Sequence, residues 1–175
     1  LVLVGTSTGG ALAAWAASRP ELEGELAALV LVPPAFALAA PIYPAFRALK
    51  AAADAALPAA LARALMTSVI HATQGRVKTA PGRGELHRRY WTLTYPTAAI
   101  LNLVAVIEAA AASDLAAIRC PVLVIGSHGD RAISWDQTID VYKRLGGKKV
   151  LVTAPASDED DNHVLCNPIL SPSSV

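Results

Sequence analysis

The sequence predicts an α/β fold, with a parallel sheet interrupted by a helical insertion. Three observations predict it. Short apolar runs, continuous rather than alternating, occur at Leu1–Val4, Leu26–Val32, Pro121–Ile125 and Lys149–Val152, as strands of a parallel sheet covered on both faces require. Helical segments join the first two runs and the last two, giving two strand–helix–strand units with right-handed crossovers. The interval 33–119 is far longer than one crossover helix needs.

The first strand leads into Gly5-Thr6-Ser7-Thr8-Gly9, then Gly10 and the Ala-rich stretch Ala11 to Ala17. A Gly-x-Ser-x-Gly turn between a buried strand and a helix is a nucleophile elbow, with Ser7 at its tip. Ser7 is expected in a strained conformation, and glycines at 5 and 9 are expected to avoid collision with the crossing strand and helix. The helix from Gly10 to about Ser18 ends at Arg19-Pro20, and Trp15 is expected to pack it on the sheet.

Within the insertion, Ala45–Ala56 and Ala59–Ala72 read as Ala/Leu helices separated by Pro58. Gln74 to Arg89 reads as a polar basic loop, followed by a helix from about Pro96 to Ala112. Such a surplus is an inserted subdomain, expected as a cap over the strand ends. The organisation is therefore core sheet at 1–32, cap at 33–119 and core sheet at 120–175. Arg76, Lys78, Arg83, Arg88 and Arg89, with Tyr90 and Trp91 beyond, read as a solvated cap loop, with an anionic ligand as the alternative. The Ala/Leu helices offer an apolar ceiling suited to an acyl chain.

Functional groups of an open α/β sheet lie past the carboxyl ends of strands. Past the third strand comes Gly126-Ser127-His128-Gly129-Asp130, and past the fourth comes Thr153 to His163. The helix between them, about Trp135 to Leu145, is expected to close on Gly146-Gly147 as a C-cap. A serine nucleophile needs a base, and the base needs an orienting acid. His163 stands against His128 on the acid loop, His71 at a helix end and His87 in the basic loop, which is read as solvated. For the acid, Asp130 stands against Asp158, Asp160 and Asp161 beside His163; Asp136 reads as a first-turn dipole partner. The run Asp158-Glu159-Asp160-Asp161 reads as a solvated loop.

A formal charge of +1 implies neither nucleic acid nor membrane as a partner. No apolar run reaches the ~18 residues of a membrane span; Leu26 to Pro41 is broken by Pro33 and Pro34. Without a phosphate-binding loop, a dinucleotide fingerprint or a zinc spacing, no cofactor or metal is expected. Cys120 and Cys166 are expected to pack as small apolar residues, which favours a reducing, cytoplasmic setting. The chain starts inside a strand and stops at Leu170-Ser171-Pro172-Ser173-Ser174-Val175, where Ser171 or Ser173 could cap a helix. It is expected to be the C-terminal portion of a longer domain, and by itself poorly soluble and inactive, with an open edge at Leu1–Val4.

The order Ser7, Asp130, His163 resembles that of the α/β-hydrolase superfamily, nearest its cap-bearing esterase, lysophospholipase and serine-aminopeptidase-like members. The resemblance runs from the elbow through Cys120-Pro121-Val122-Leu123-Val124-Ile125-Gly126 to Asn162-His163-Val164-Leu165, and covers essentially the whole chain. Tyr95-Pro96 through Asp114-Leu115 looks like the final cap helix of those families. The resemblance implies Ser7 as nucleophile, His163 as base, Asp130 as acid and the backbone N–H of Thr8 as an oxyanion donor. It also implies a second donor from a loop after a strand that this chain lacks. The implied activity is hydrolysis of a small, apolar carboxylic ester through an acyl-enzyme, as in carboxylesterases and lipases. An aminopeptidase or a carbon–carbon bond hydrolase would use the same triad. An aminopeptidase needs a carboxylate for the substrate's ammonium, and Asp54, Glu85, Glu108 and Asp114 are few, which favours esters. A binding protein without turnover is the remaining alternative, and it has no need of all three groups.

Overall fold

The computed structural model describes residues 1–82, 84–154, 162–167 and 171–174. In chain order its elements are β1 (Val2–Ser7), α1 (Thr8–Ala17), β2 (Ala28–Pro34), α2 (Tyr43–Ala56), α3 (Ala59–Gln74), β3 (Val77–Thr79), α4 (Gly84–Tyr90), β4 (Thr94–Pro96), α5 (Ile100–Ala111), β5 (Val122–Gly126), α6 (Trp135–Arg144) and β6 (Lys149–Thr153). They divide into two compact units, Leu1–Ala40 with Ala105–Val175, and Pro41–Val104.

The first unit holds a four-stranded sheet in the order β1-β2-β5-β6, parallel at every pairing. The register aligns Leu3, Leu29 and Val122 across the sheet, and likewise Gly5, Leu31, Val124 and Leu151. This face is the core: Leu29 and Leu31 are fully buried with Val122, Val124, Leu115, Ile118, Val141 and Leu145. Ala11, Ala13, Ala14 and Ala17 join them, because a helix of small side chains can lie close to a sheet. Trp15 is half-buried against the same cluster, with the Arg19 guanidinium 5.1 Å from its ring centroid.

The other face differs from expectation. Continuous apolar strands predict cover on both sides, yet Val4 is 67 % and Val150 59 % exposed, with Val2 and Val152 beside them. That exposure is confined to the outer strands β1 and β6: on the inner strands Val30, Leu123 and Ile125 are half-buried and Val32 is buried.

Helix α6 is set by its ends. The Ser134 hydroxyl accepts from the Gln137 N–H at 3.4 Å, Asp136 lies in the first turn, and Lys143 and Arg144 lie in the last, matching the helix dipole. Its C-terminus corrects the expected glycine cap. The C-cap is Leu145 in extended conformation. Gly146 instead lets backbones meet: its N–H donates to the Leu115 carbonyl at 3.0 Å, and a Cβ there would strike the Ala116 carbonyl. Cys120 is partly buried, which pushes its thiol pKa up, and Cys166 is exposed; neither forms a disulfide. The exposure of Cys166 departs from its expected role as a packed residue.

In the second unit, α2 and α3 meet around Ala53, Ala62, Met66, Ile70 and Leu101, with Phe46 and Ile100 at the margin. Pro58 separates the two helices as expected and is the N-cap residue of α3. The segment read as a basic loop is structured. Strand β3 pairs antiparallel with β4, Lys78 opposite Tyr95 and Thr79 opposite Thr94, and the connection between them carries α4. His87, expected in solvent, is only 6 % exposed and meets the Trp91 ring edge-on at 5.2 Å. It is the buried residue of the short helix α4, which the run of cations conceals. Arg83 lies outside the described residues. A 3-10 turn, Thr97–Ala99, leads into α5. Among the described residues no helix is long and apolar enough to cross a membrane.

Candidate active site

Ser7 joins β1 to α1. Its φ of 53° and ψ of −122° lie where an L-residue rarely sits, a strain worth about 1–3 kcal/mol that surrounding contacts must enforce. The β1–β2 register shifts between Thr6 and Ser7, pairing Ser7 with Pro34, and the Ser7 carbonyl accepts from the Ala35 N–H at 2.9 Å.

Two glycines make this turn sterically possible, and they correct the expected pair. A Cβ on Gly5 would collide with the Gly9 carbonyl and lie 2.7 Å from the Gly10 Cα. A Cβ on Gly10 would lie 2.7 Å from the Pro34 Cβ and 2.8 Å from its Cα. A Cβ on Gly9 would meet nothing within 4 Å among the described residues. Gly10, not Gly9, is the second close approach, because it is Gly10 that faces β2 across the turn.

Thr8 is the first residue of α1. Its N–H belongs to the opening turn of the helix, where no intrahelical acceptor exists and the dipole favours an anion.

Asp130 ends a tight turn after β5. Ser127 is buried, its hydroxyl accepts from the Gly129 N–H at 3.2 Å, and its carbonyl accepts from the Asp130 N–H at 3.3 Å. The Asp130 carboxylate is fully buried. Its Oδ1 accepts from the Ala132 N–H at 2.8 Å and the Ile133 N–H at 2.9 Å, leaving Oδ2 directed at the His163 ring. His163 Nδ1 lies 2.8 Å from Asp130 Oδ2, and its Nε2 lies 2.9 Å from Ser7 Oγ. The His163 side chain is 15 % exposed. The structure thus brings a hydroxyl, an imidazole and a carboxylate into one hydrogen-bonded line. With Nδ1–H donating to Asp130, Nε2 would present its lone pair to the Ser7 hydroxyl.

The rival residues are elsewhere. His128 is exposed and lies 4.8 Å from the Trp135 ring centroid, His71 lies in the last turn of α3, and His87 is buried against Trp91. Asp158, Glu159, Asp160 and Asp161 lie outside the described residues. Among the described residues no group of three or more His, Cys, Asp or Glu could hold a metal ion.

Sequence reasoning missed the residues that hold the loops. Asn162, at a φ of 52°, donates from Nδ2 to the Gly129 carbonyl at 3.4 Å, tying the segment before His163 to the turn before Asp130. A side chain on Gly129 would press into that amide. Asn beside a candidate base was the available signal, since Asn tolerates left-handed backbone. Ala132 and Ile133 act through backbone N–H groups, which residue type does not reveal.

A family model described as serine aminopeptidase, S33, matches residues 1–156. None of the curated proteins matches the chain. Among solved structures, a metagenome-derived lipolytic enzyme of the LipS and LipT pair is similar at a TM-score of 0.61 and 21 % identity, over 89 % of this chain and 55 % of that one. The monoacylglycerol lipase of Paleococcus ferrophilus is similar at 0.55 and 15 %, over 88 % and 58 %. A soluble variant of monoglyceride lipase from Saccharomyces cerevisiae is similar at 0.52 and 12 %, over 86 % and 54 %. The chain spans a little over half the length of these structures.

Proposed function

The chain belongs to the serine aminopeptidase S33 family of α/β hydrolases, and from that premise we propose that it hydrolyses carboxylic esters through an acyl-enzyme on Ser7. One observation carries the proposal: Ser7 Oγ, His163 and Asp130 are linked at 2.9 and 2.8 Å, at the start of a helix. His163 Nε2 takes the Ser7 proton as Oγ attacks the ester carbonyl. The Thr8 N–H donates to the resulting oxyanion. Asp130 keeps Nδ1 protonated and faces the positive charge that develops on the ring. His163 then returns the proton to the departing alcohol. A water enters, gives a proton to Nε2 and attacks the acyl carbon. The acid leaves, and the proton returns to Ser7.

Apolar acyl groups are the proposed substrate class. Helices α2 and α3 are rich in Ala and Leu, with Leu49, Leu61 and Leu65 exposed. The lipase names of the fold neighbours point the same way, although at 12–21 % identity they carry the fold alone.

The family description itself favours a second reading, release of an N-terminal residue from a peptide. That chemistry needs a free carboxylate for the ammonium. Asp54 is engaged with Lys50 at 2.7 Å and Asp114 with the Ala116 N–H at 3.2 Å. The test compares nitrophenyl acyl esters with aminoacyl nitroanilides on the full-length protein. Faster ester turnover, lost in Ser7→Ala, is expected. Faster anilide turnover reassigns the protein as a peptidase, and turnover of neither favours a binding protein.

A further inference from the structure

We propose that the β3–α4–β4 segment docks on an anionic lipid surface. Charge is strongly segregated there. Residues 76–96 hold five of the fifteen Lys and Arg of the chain and one of its fourteen Asp and Glu, in a protein whose formal charge is only +1. They also hold three of its nine Trp, Tyr and Phe.

The structure turns this composition into a surface. Arg76, Lys78, Arg88 and Arg89 are all exposed, and among the described residues none forms an ion pair with a carboxylate. Between them stand apolar side chains in solvent: Tyr90 is 68 % and Trp91 48 % exposed, beside Val77 and Leu86. Leu86 and Tyr90 are four apart on α4 and so share its outer face, while His87 turns inward. The Arg89 guanidinium lies 5.4 Å from the Tyr90 ring centroid, and Lys78 stands opposite Tyr95 across the ribbon.

Cations attract anionic headgroups by about 1 kcal/mol each. Amphipathic rings and aliphatic chains settle at the boundary between headgroup and acyl region. The aliphatic members choose between two anionic partners. A nucleic acid would use the cations and the rings, but it has no use for exposed Val77 and Leu86; a lipid boundary uses all three kinds. The proposal does not depend on the esterase reading, because its readout is binding.

The test is flotation of the full chain with phosphatidylcholine vesicles, with and without phosphatidylglycerol. Flotation is expected with the anionic vesicles and not with the neutral ones, and it should fall at high salt as the Debye length shrinks to ~3 Å at 1 M. Lys78→Ala/Arg89→Ala, both surface positions, should weaken partitioning roughly 30-fold, about 1 kcal/mol for each cation removed. Trp emission should shift to the blue on binding, and Trp91→Phe should abolish that shift. Equal flotation with neutral vesicles, no flotation with anionic ones, or an unchanged double variant would overturn the proposal. Binding of a single-stranded oligonucleotide that anionic vesicles fail to displace would assign the surface to nucleic acid instead.

Discussion

The sheet unit and the helical unit share an alanine-rich composition but are held by different means. Around Ser7, Asp130 and His163 the backbone itself fixes position. Ser7 is pinned by the Ala35 N–H, Asp130 by the N–H groups of Ala132 and Ile133, and Asn162 ties the two loops. In the β3–α4–β4 segment the ribbon is short, solvent reaches nearly every side chain, and one buried ring, His87, anchors the connection. Chemistry that tolerates little displacement therefore sits where buried hydrogen bonds set the geometry. Surface attraction, which tolerates more, sits where few contacts do.

The comparison can be broken most sharply at Asp130. Asp130→Asn keeps the size of the side chain but offers Nδ1 the wrong partner, and turnover should fall by ~10⁴-fold with little change in substrate affinity. A fall of less than tenfold would mean that the hydrogen bond does not control the tautomer of His163. Stability comes next. Gly10→Ala should cost about 1–3 kcal/mol in chemical denaturation, because the rigid Pro34 ring on β2 leaves no space for a methyl group. Gly9→Ala, one residue away, should be neutral or stabilising by up to ~1 kcal/mol, since it removes a flexible helical glycine without a clash. Equal destabilisation by the two would refute the assignment of the close approach to Gly10. The smallest effect is expected on the exposed ribbon. The Thr79 and Thr94 hydroxyls lie 3.1 Å apart, and Thr79→Ala should cost no more than about 0.5 kcal/mol by thermal melting.

The same contrast explains what the sequence made legible. The strands of the sheet were readable because burial dictates long apolar side chains at Leu29, Leu31, Val122 and Val124. Their parallel order follows from the helices between them. That Ser7, His163 and Asp130 come within hydrogen-bond reach of one another was legible because strand ends limit the loops to consider. Cover on both faces was misread, since a strand facing solvent with Val4 and Val150 carries the same residues as one facing a core. Gly9 was misread because spacing alone cannot tell which of two adjacent glycines faces β2. The segment 74–89 was misread because a three-residue strand and a seven-residue helix are too short for periodicity to show. His87 was lost with it, since a run of cations masks one inward-facing ring.

The central claim is that Ser7 is the nucleophile activated by His163. The most direct measurement is mass spectrometry of the protein after reaction with a fluorophosphonate probe. The adduct should map to Ser7, disappear in Ser7→Ala, and form far more slowly in His163→Ala, which keeps the hydroxyl but removes its base. An adduct on another residue, or undiminished labelling in either variant, would contradict the account.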